Sequence, residues 1–299
     1  MSTPESNVRK LPEIYVRPEF VVDDIGEAAI SDVAHPLSLV ERIWDINAVR
    51  KGSILLGLVV LWQAYTVILD VEPLMFPRFT DSAVALWNAL VHGDLLSKIW
   101  FSVKVLVYGY SAGLAIAAVL VLWATASRIG GDFLATVTAM FNPLPAIALL
   151  PLAMLWFGLG TASLVFVLIH SVLWAVALST HNGFMAVSEP LRMIGRNYGL
   201  TGIRYVAKIL IPAAFPSILT GMKIGWAFAW RTLIGAELVF GASSGSGGLG
   251  WFIFEGSQNL ETADVFAGLF TVIVIGLVVE NVIFRNIEAR TIVRWGMSR

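Results

Sequence analysis

Two charged residues lie deep in one apolar stretch, Arg231 and Glu237 within Ile218–Ala242. A charge at the centre of a bilayer costs at least about 2.5–3.5 kcal/mol on insertion scales, so each must face protein or water. Six residues of helix turn through about 240°, so the two do not stack and each needs a partner elsewhere. Arg231 either draws an anion into a central pathway or forms a structural ion pair between helices or subunits. Glu237 reads as a second pathway candidate or as the acid of such a structural pair. Lys223, eight residues before Arg231, either snorkels to the interface or lines a pathway. Trp226 and Trp230 stand one turn apart and read as pathway walls beside Arg231 or as packing.

Other chemistry is thin. GASSGSGGLG (241–250) contains no lysine. It therefore fails the Gly-x4-Gly-Lys-Ser/Thr pattern that cradles a nucleotide's phosphates. Two readings remain, a flexible outer connector and a backbone-lined gate with Gly245, Gly247 and Gly248 as its candidate residues. The histidines are His35, His92, His170 and His181. His170 and His181 return to one helix face but lie ~16 Å apart, too far to share a metal. His170 reads as a buried, hydrogen-bonded residue. No serine–histidine–acid constellation and no paired acids stand out, so no catalytic residue, metal site or cofactor is expected in this chain.

The elements that hold these residues are set by composition. The chain has 299 residues, 57% of them apolar and 14% charged; an ordinary soluble domain is about a quarter charged. Net charge is −1, which points to no nucleic acid. The absence of cysteine excludes disulfides and thiolate chemistry. A bilayer core needs roughly 20 apolar residues of helix. Six stretches qualify: Gly52–Leu69, Val103–Ala126, Phe133–Phe157, Ser163–Thr180, Ile218–Ala242 and Ala263–Phe284. The third carries Pro143, Pro145 and Pro151, so it is expected to kink or break, with its freed carbonyls facing protein or a cavity. Gly109 and Gly113 in the second permit close helix packing within the subunit.

Fifteen of the twenty lysines and arginines fall on segments that share a side with the N-terminus. Arg78, Lys98 and Lys104 lie on the other side, and Lys223 and Arg231 within span five. The positive-inside rule then places both termini in the cytoplasm. Residues 1–50 read as a cytoplasmic tail, with Leu39–Val49 as an interfacial helix. Residues 51–290 read as the membrane domain, and 291–299 as a second cytoplasmic tail. Polar, acid-rich residues 1–36 do not form a signal peptide. Ser82–Leu96 reads as a short amphipathic helix on the outer surface.

Between spans four and five the text SEPLRMIGRNYGLTGIRYVAKILIPAAFPSILTG begins at Ser188. Ser188 is placed to cap a helix with Glu189 and Pro190 in its first turn. Leu191, Ile194 and Tyr198 form an apolar stripe, Arg192 and Arg196 share another face, and Gly199 permits a turn. A second helix is expected from Thr201 to just before Pro212. The segment is either a hairpin joining two spans or a plug that seats in a soluble motor domain.

Here the sequence resembles the permease subunits of bacterial ATP-binding-cassette importers. Their signature loop runs Glu-Ala-Ala, three residues, Gly, nine residues, Ile-x-Leu-Pro. Gly199, Ile209, Ile211 and Pro212 match this spacing, while Met193, Ile194 and Gly195 replace the triplet and Ile211 replaces leucine. NPLPAIALLPLAMLWFGLG (142–160), IPAAFPSILTGMKIGWAFAWRTLIGAEL (211–238) and GASSGSGGLG (241–250) resemble the nitrate, sulfonate, taurine and bicarbonate branch.

The resemblance implies an all-α type I importer permease fold with about six transmembrane helices, in the bacterial inner membrane. It implies a homodimer, with two copies of a separate ATPase that bind ATP and Mg. A periplasmic or lipid-anchored solute-binding protein would deliver a small anion. Residues 188–212 would be the coupling loop, with Leu191, Arg192, Met193, Ile194, Gly195, Arg196, Tyr198, Gly199 and Pro212 as its key positions. A self-sufficient secondary transporter or channel is the alternative. It would favour two repeated halves with matching broken helices, and no such repeat is visible.

Overall fold

The computed structural model describes residues 46–244 and 247–296. The expected tail 1–36, most of the interfacial helix 39–49, Gly245 and Arg299 lie outside the described residues. The chain divides into two compact units, Met1–Val60 and Leu61–Arg299. Among the described residues the secondary structure is entirely helical.

Helix α1 (Asn47–Ile68) is followed by a short helix α2 (Phe79–Val91) and the 32-residue α3 (Leu95–Ala126). The amphipathic helix expected over 82–96 is therefore earlier and shorter. The chain turns at His92–Asp94, and Leu95 and Leu96 open α3 instead. Within the second unit, Trp62 ties the end of α1 down. Its ring packs among Phe76, Phe79, Phe266 and Phe270 at 5.3–5.7 Å, and its Nε1–H donates to the Pro77 carbonyl at 3.0 Å.

The third span is broken rather than bent. Helix α4 (Arg128–Phe141) ends at Asn142. A 3-10 turn (Ala146–Leu149) then leads into α5 (Leu150–Phe157), with 88° between the two halves. Pro143 and Pro145 sit in the break. Pro151 sits in the first turn of α5, where its missing N–H has no helical partner to lose.

Helix α6 (Thr161–Met185) is the axis of the second unit, with Leu164, Val167, Leu168, Val172 and Ala177 buried. Glycines bring its neighbours close. A Cβ on Gly109 of α3 would strike the Leu168 side chain, and one on Gly113 would lie 2.8 Å from Val172 Cβ. The Gly109–Gly113 pair thus packs α3 on α6, as expected from its spacing. On the other side, a Cβ on Gly221 would lie 2.6 Å from Ser179 and one on Gly225 3.0 Å from Val176 of α6. Van der Waals packing of small residues is the main cohesive term between helices in lipid. Gly221→Val is accordingly expected to force α6 from its neighbour and cost about 1–3 kcal/mol, read as a lower melting temperature in detergent.

The segment after α6 departs from expectation at Pro212. Helix α7 (Glu189–Asn197) is followed by α8 (Gly202–Tyr205), a π turn over Val206–Leu210 and α9 (Ile211–Ser244). These last three form one 40-residue helix, Gly202–Gly241. The expected stop before Pro212 is absent because the π turn widens the helix there. Ile211 N–H bonds the Val206 carbonyl five residues back, so the proline ring enters without clashing with the turn before it.

A ten-residue helix α10 (Leu249–Gln258) follows, then α11 (Thr262–Val278), which continues through further π turns to Val293. Among the described residues five helices are long and apolar enough to span a membrane, and the bent pair, taken as one span, brings the number to six.

Candidate functional site

Three clusters carry the candidate chemistry. The first is α7 with its flanking turns. Ser188 takes the N-cap position in extended backbone, but its side chain makes no cap bond. The C-terminal end is closed as expected. Gly199 has φ 68°, its N–H bonds the Arg196 carbonyl at 2.9 Å, and Leu200 N–H bonds that of Gly195 at 3.0 Å. This is the left-handed closure that glycine allows.

The two arginines separate. Arg196 is exposed and pairs with Glu189 at 3.4 Å. Arg192 folds back, donating from Nε to the Val187 carbonyl at 3.0 Å and from Nη2 to that of Phe184 at 2.5 Å. It satisfies orphan carbonyls at the end of α6, and so clamps α7 to that helix. Gly195 is buried, and a Cβ there would meet Ile209 and Tyr205 at 2.9 Å; α7 therefore rests on the π turn before Pro212. Leu191 turns inward against the core. Met193, Ile194 and Tyr198 are exposed, Tyr198 at 81%, as is Ile203 beyond the turn. The stripe read from spacing thus divides into an inner anchor and an outer apolar patch.

The second cluster surrounds Glu237. This side chain is fully buried. Ser102 of α3 donates to both carboxylate oxygens at 2.7 and 2.8 Å, and Gly250 N–H donates to Oε2 at 2.9 Å. Leu249 N–H in turn donates to Ser102 Oγ at 2.8 Å. The carboxylate caps the N-terminus of α10, where free N–H groups and the helix dipole favour it. It joins α3, α9 and α10 and is not among the residues that line the cavity beside Arg231. Gly248 lies in van der Waals contact with this cluster. A Cβ there would collide with Ser102 Oγ and the Glu237 carboxylate. At Gly247 a Cβ would lie 2.8 Å from Trp251. These two glycines are packed, which does not fit a flexible connector. Gly248→Ala is expected to cost about 1–3 kcal/mol, with a matching loss of melting temperature; an unchanged melting curve would contradict the packing.

The third cluster is a cavity of about 360 Å³ at the break in span three. It is lined by Asn142 and its neighbours in the break, by His170, Ser171 and Trp174 of α6, and by Phe228, Arg231 and Thr232 of α9. The irregular backbone of the break faces this cavity, which is where such backbone is tolerated at membrane depth. Arg231 gives one N–H to the Ala227 carbonyl at 3.1 Å and lies over the Phe228 ring at 5.2 Å. Among the described residues no carboxylate pairs with it.

Trp230 and Lys223 go elsewhere. Trp230 is buried, stacks on Trp226 at 5.9 Å, and donates to the Val272 carbonyl at 3.2 Å. Lys223 pairs with Glu288 at 2.8 Å and Glu280 at 3.8 Å. Both tie α9 to the last helix. His170, read as hydrogen-bonded, has no partner for either ring nitrogen. Nothing specific in the sequence marks Trp174 beside it. Its spacing of four from His170 was the only available signal, and on an apolar helix that spacing is not specific.

A family model for the inner membrane component of binding-protein-dependent transport systems matches residues 109–293. Among curated proteins the chain is 29% identical to an ABC transporter permease protein of Methanocaldococcus jannaschii over 256 residues, 83% of this chain and 92% of that protein. It is 26% identical to the nitrate import permease protein NrtB of Synechocystis over 242 residues, 81% and 82% of the two chains. A taurine transport system permease protein, TauC of Escherichia coli, is 30% identical over 141 residues, 47% of this chain and 50% of that one.

Proposed function

Because this chain belongs to the family of inner membrane components of binding-protein-dependent transport systems, we propose that it is the permease of an ATP-driven importer of a small anion. Taurine, an alkanesulfonate, nitrate or bicarbonate is the expected solute. Two copies form the pathway, both termini face the cytoplasm, and two separate ATPase subunits bind ATP and Mg and dock beneath. A solute-binding protein presents the anion from the outer side, where Gly247 and Gly248 contribute to the gate.

The observation that carries this reading is the mounting of α7. Its outer patch of Met193, Ile194 and Tyr198 is free to enter a groove on a soluble partner. Its inner side is fixed twice, by Arg192 to the end of α6 and by Gly195 to the π turn of the long helix that holds Arg231. A push on the patch therefore moves spans four and five together. The Arg231 cavity lies between those spans and the break in span three. Closing of the ATPase pair then acts on the walls of the cavity through packed elements, a rigid-body route to alternating access.

Arg192→Ala tests the mounting. The ATPase is expected to dock with unchanged stoichiometry and hydrolyse ATP, while uptake per ATP falls by roughly tenfold or more, since a mispositioned lever transmits less of the closing motion. Unchanged coupling in that variant would remove the lever.

A further inference from the structure

We propose that His170 and Trp174 complete, with Arg231, a site inside the membrane that holds a small organic oxyanion, so that the permease itself selects its solute. This inference rests on the import reading and adds a second filter to the solute-binding protein.

The donors around the cavity are unbalanced. Arg231 has five N–H groups, and the protein takes up one of them. His170 Nδ1 and Nε2 and Trp174 Nε1 are all buried without a hydrogen-bond partner. Leaving a buried donor unpaired costs about 1–3 kcal/mol, and such groups are few in native proteins. Here the unpaired atoms are the Trp174 donor and the two His170 nitrogens, of which a neutral ring makes one a donor and one an acceptor; the two residues stand one turn apart on α6, and both line the cavity that Arg231 lines. Phe141 stacks on Trp174 at 5.6 Å and meets His170 edge-on at 6.2 Å. The two rings are thus braced from behind. Ser171 and Thr232 bond each other at 3.0 Å and link α6 to α9 beside the site.

The ligand class follows from this inventory. Guanidinium and indole only donate, and imidazole always offers at least one N–H. Asp and Glu are absent from the cavity lining. A cation would meet Arg231 with no carboxylate to offset it, whereas an anion with two or three acceptor oxygens can take several donors at once. The Phe228 ring and the prolines of the break supply an apolar wall, and 360 Å³ leaves room for a short carbon tail behind the head group. A sulfonate or carboxylate on a short organic body fits both halves.

The test uses the full-length chain in lipid nanodiscs, without ATPase or binding protein. Binding of ethanesulfonate is measured beside its uncharged isostere ethanesulfonamide. Wild type is expected to bind ethanesulfonate saturably and the sulfonamide at least tenfold more weakly. Trp174→Phe keeps the ring against Phe141 and removes only the N–H; it is expected to weaken binding fivefold or more at an unchanged melting temperature. His170→Leu should do the same, and His170→Asn, which restores a donor, should recover part of the loss. Non-saturable binding by wild type would overturn the proposal. So would equal binding of the sulfonamide, or unchanged binding in Trp174→Phe. The import reading is scored separately, by ATP-driven uptake in the assembled complex. If uptake persists while the isolated chain binds no ethanesulfonate, only the site falls; if uptake needs no ATPase, the import reading falls.

Discussion

Replacing Ile194 and Tyr198 together by aspartate is expected to abolish ATP-driven uptake while leaving the membrane helices folded. Both side chains are about half exposed or more and sit on the outer side of α7, away from the buried Gly195. Exposed substitutions of this kind change stability by about 0.5 kcal/mol or less. In a docking groove the balance reverses. A buried aromatic anchor contributes about 2–4 kcal/mol when truncated, and a carboxylate in its place adds an unpaired charge to be desolvated. A loss of about 30- to 1,000-fold in docking affinity follows from the conversion of free energy to equilibrium constant. Normal melting with no ATPase bound is the expected pair of results. Normal uptake in the double variant would show that the patch is only a solvated turn.

Glu237→Ala is expected to give a large loss of stability. It leaves Gly250 N–H without its acceptor and strips Ser102 of the carboxylate it faces. Each buried polar group so orphaned costs about 1–3 kcal/mol, and removal of a fully buried side chain adds the cost of the space left behind. Glu237→Gln keeps one carbonyl oxygen but turns an N–H₂ group toward a donor, so it should fall between. The check is thermal melting of the three proteins in one detergent, with the order wild type, Gln, Ala. Equal melting of wild type and the alanine variant would show that α10 does not depend on its cap.

The parts of this molecule legible in its sequence are those governed by local rules. Six apolar stretches gave the spans because a bilayer demands length and hydropathy and little else. Three prolines in nine residues, Pro143 to Pro151, announced the break in span three. The Gly199 turn, with its positive φ, was legible in the same way. Pro212 shows where a local rule is defeated. Proline ends a regular α-helix, but a π turn five residues long admits it, and nothing in VAKIL announces that turn. Helix α10 was hidden for a different reason. Its ten residues are too few for a membrane span and follow a glycine–serine run that reads as a connector.

The remaining misses involve partners distant in the chain. Arg192 and Arg196 look alike at a spacing of four, yet one caps α6 and the other lies exposed beside Glu189. The choice depends on carbonyls at Phe184 and Val187 that become available only when α6 ends. Glu237 finds Ser102 across 135 residues. His170 and Trp174 acquire their meaning from a cavity whose third wall is the break at Asn142. Spacing on one helix carries no information about which distant segment will face it.

The central claim, that α7 couples this chain to a separate ATPase, is tested most directly by a cross-link from its outer face. The chain has no cysteine, so Tyr198→Cys places a single thiol on the patch. Membranes carrying that variant are treated with a short thiol-directed cross-linker, and the adduct is identified by mass spectrometry. One dominant adduct is expected, with a soluble protein that contains an ATP-binding cassette, at a position lining its docking groove. A thiol that reacts with no such protein, in a chain that transports its anion without ATP, would contradict it.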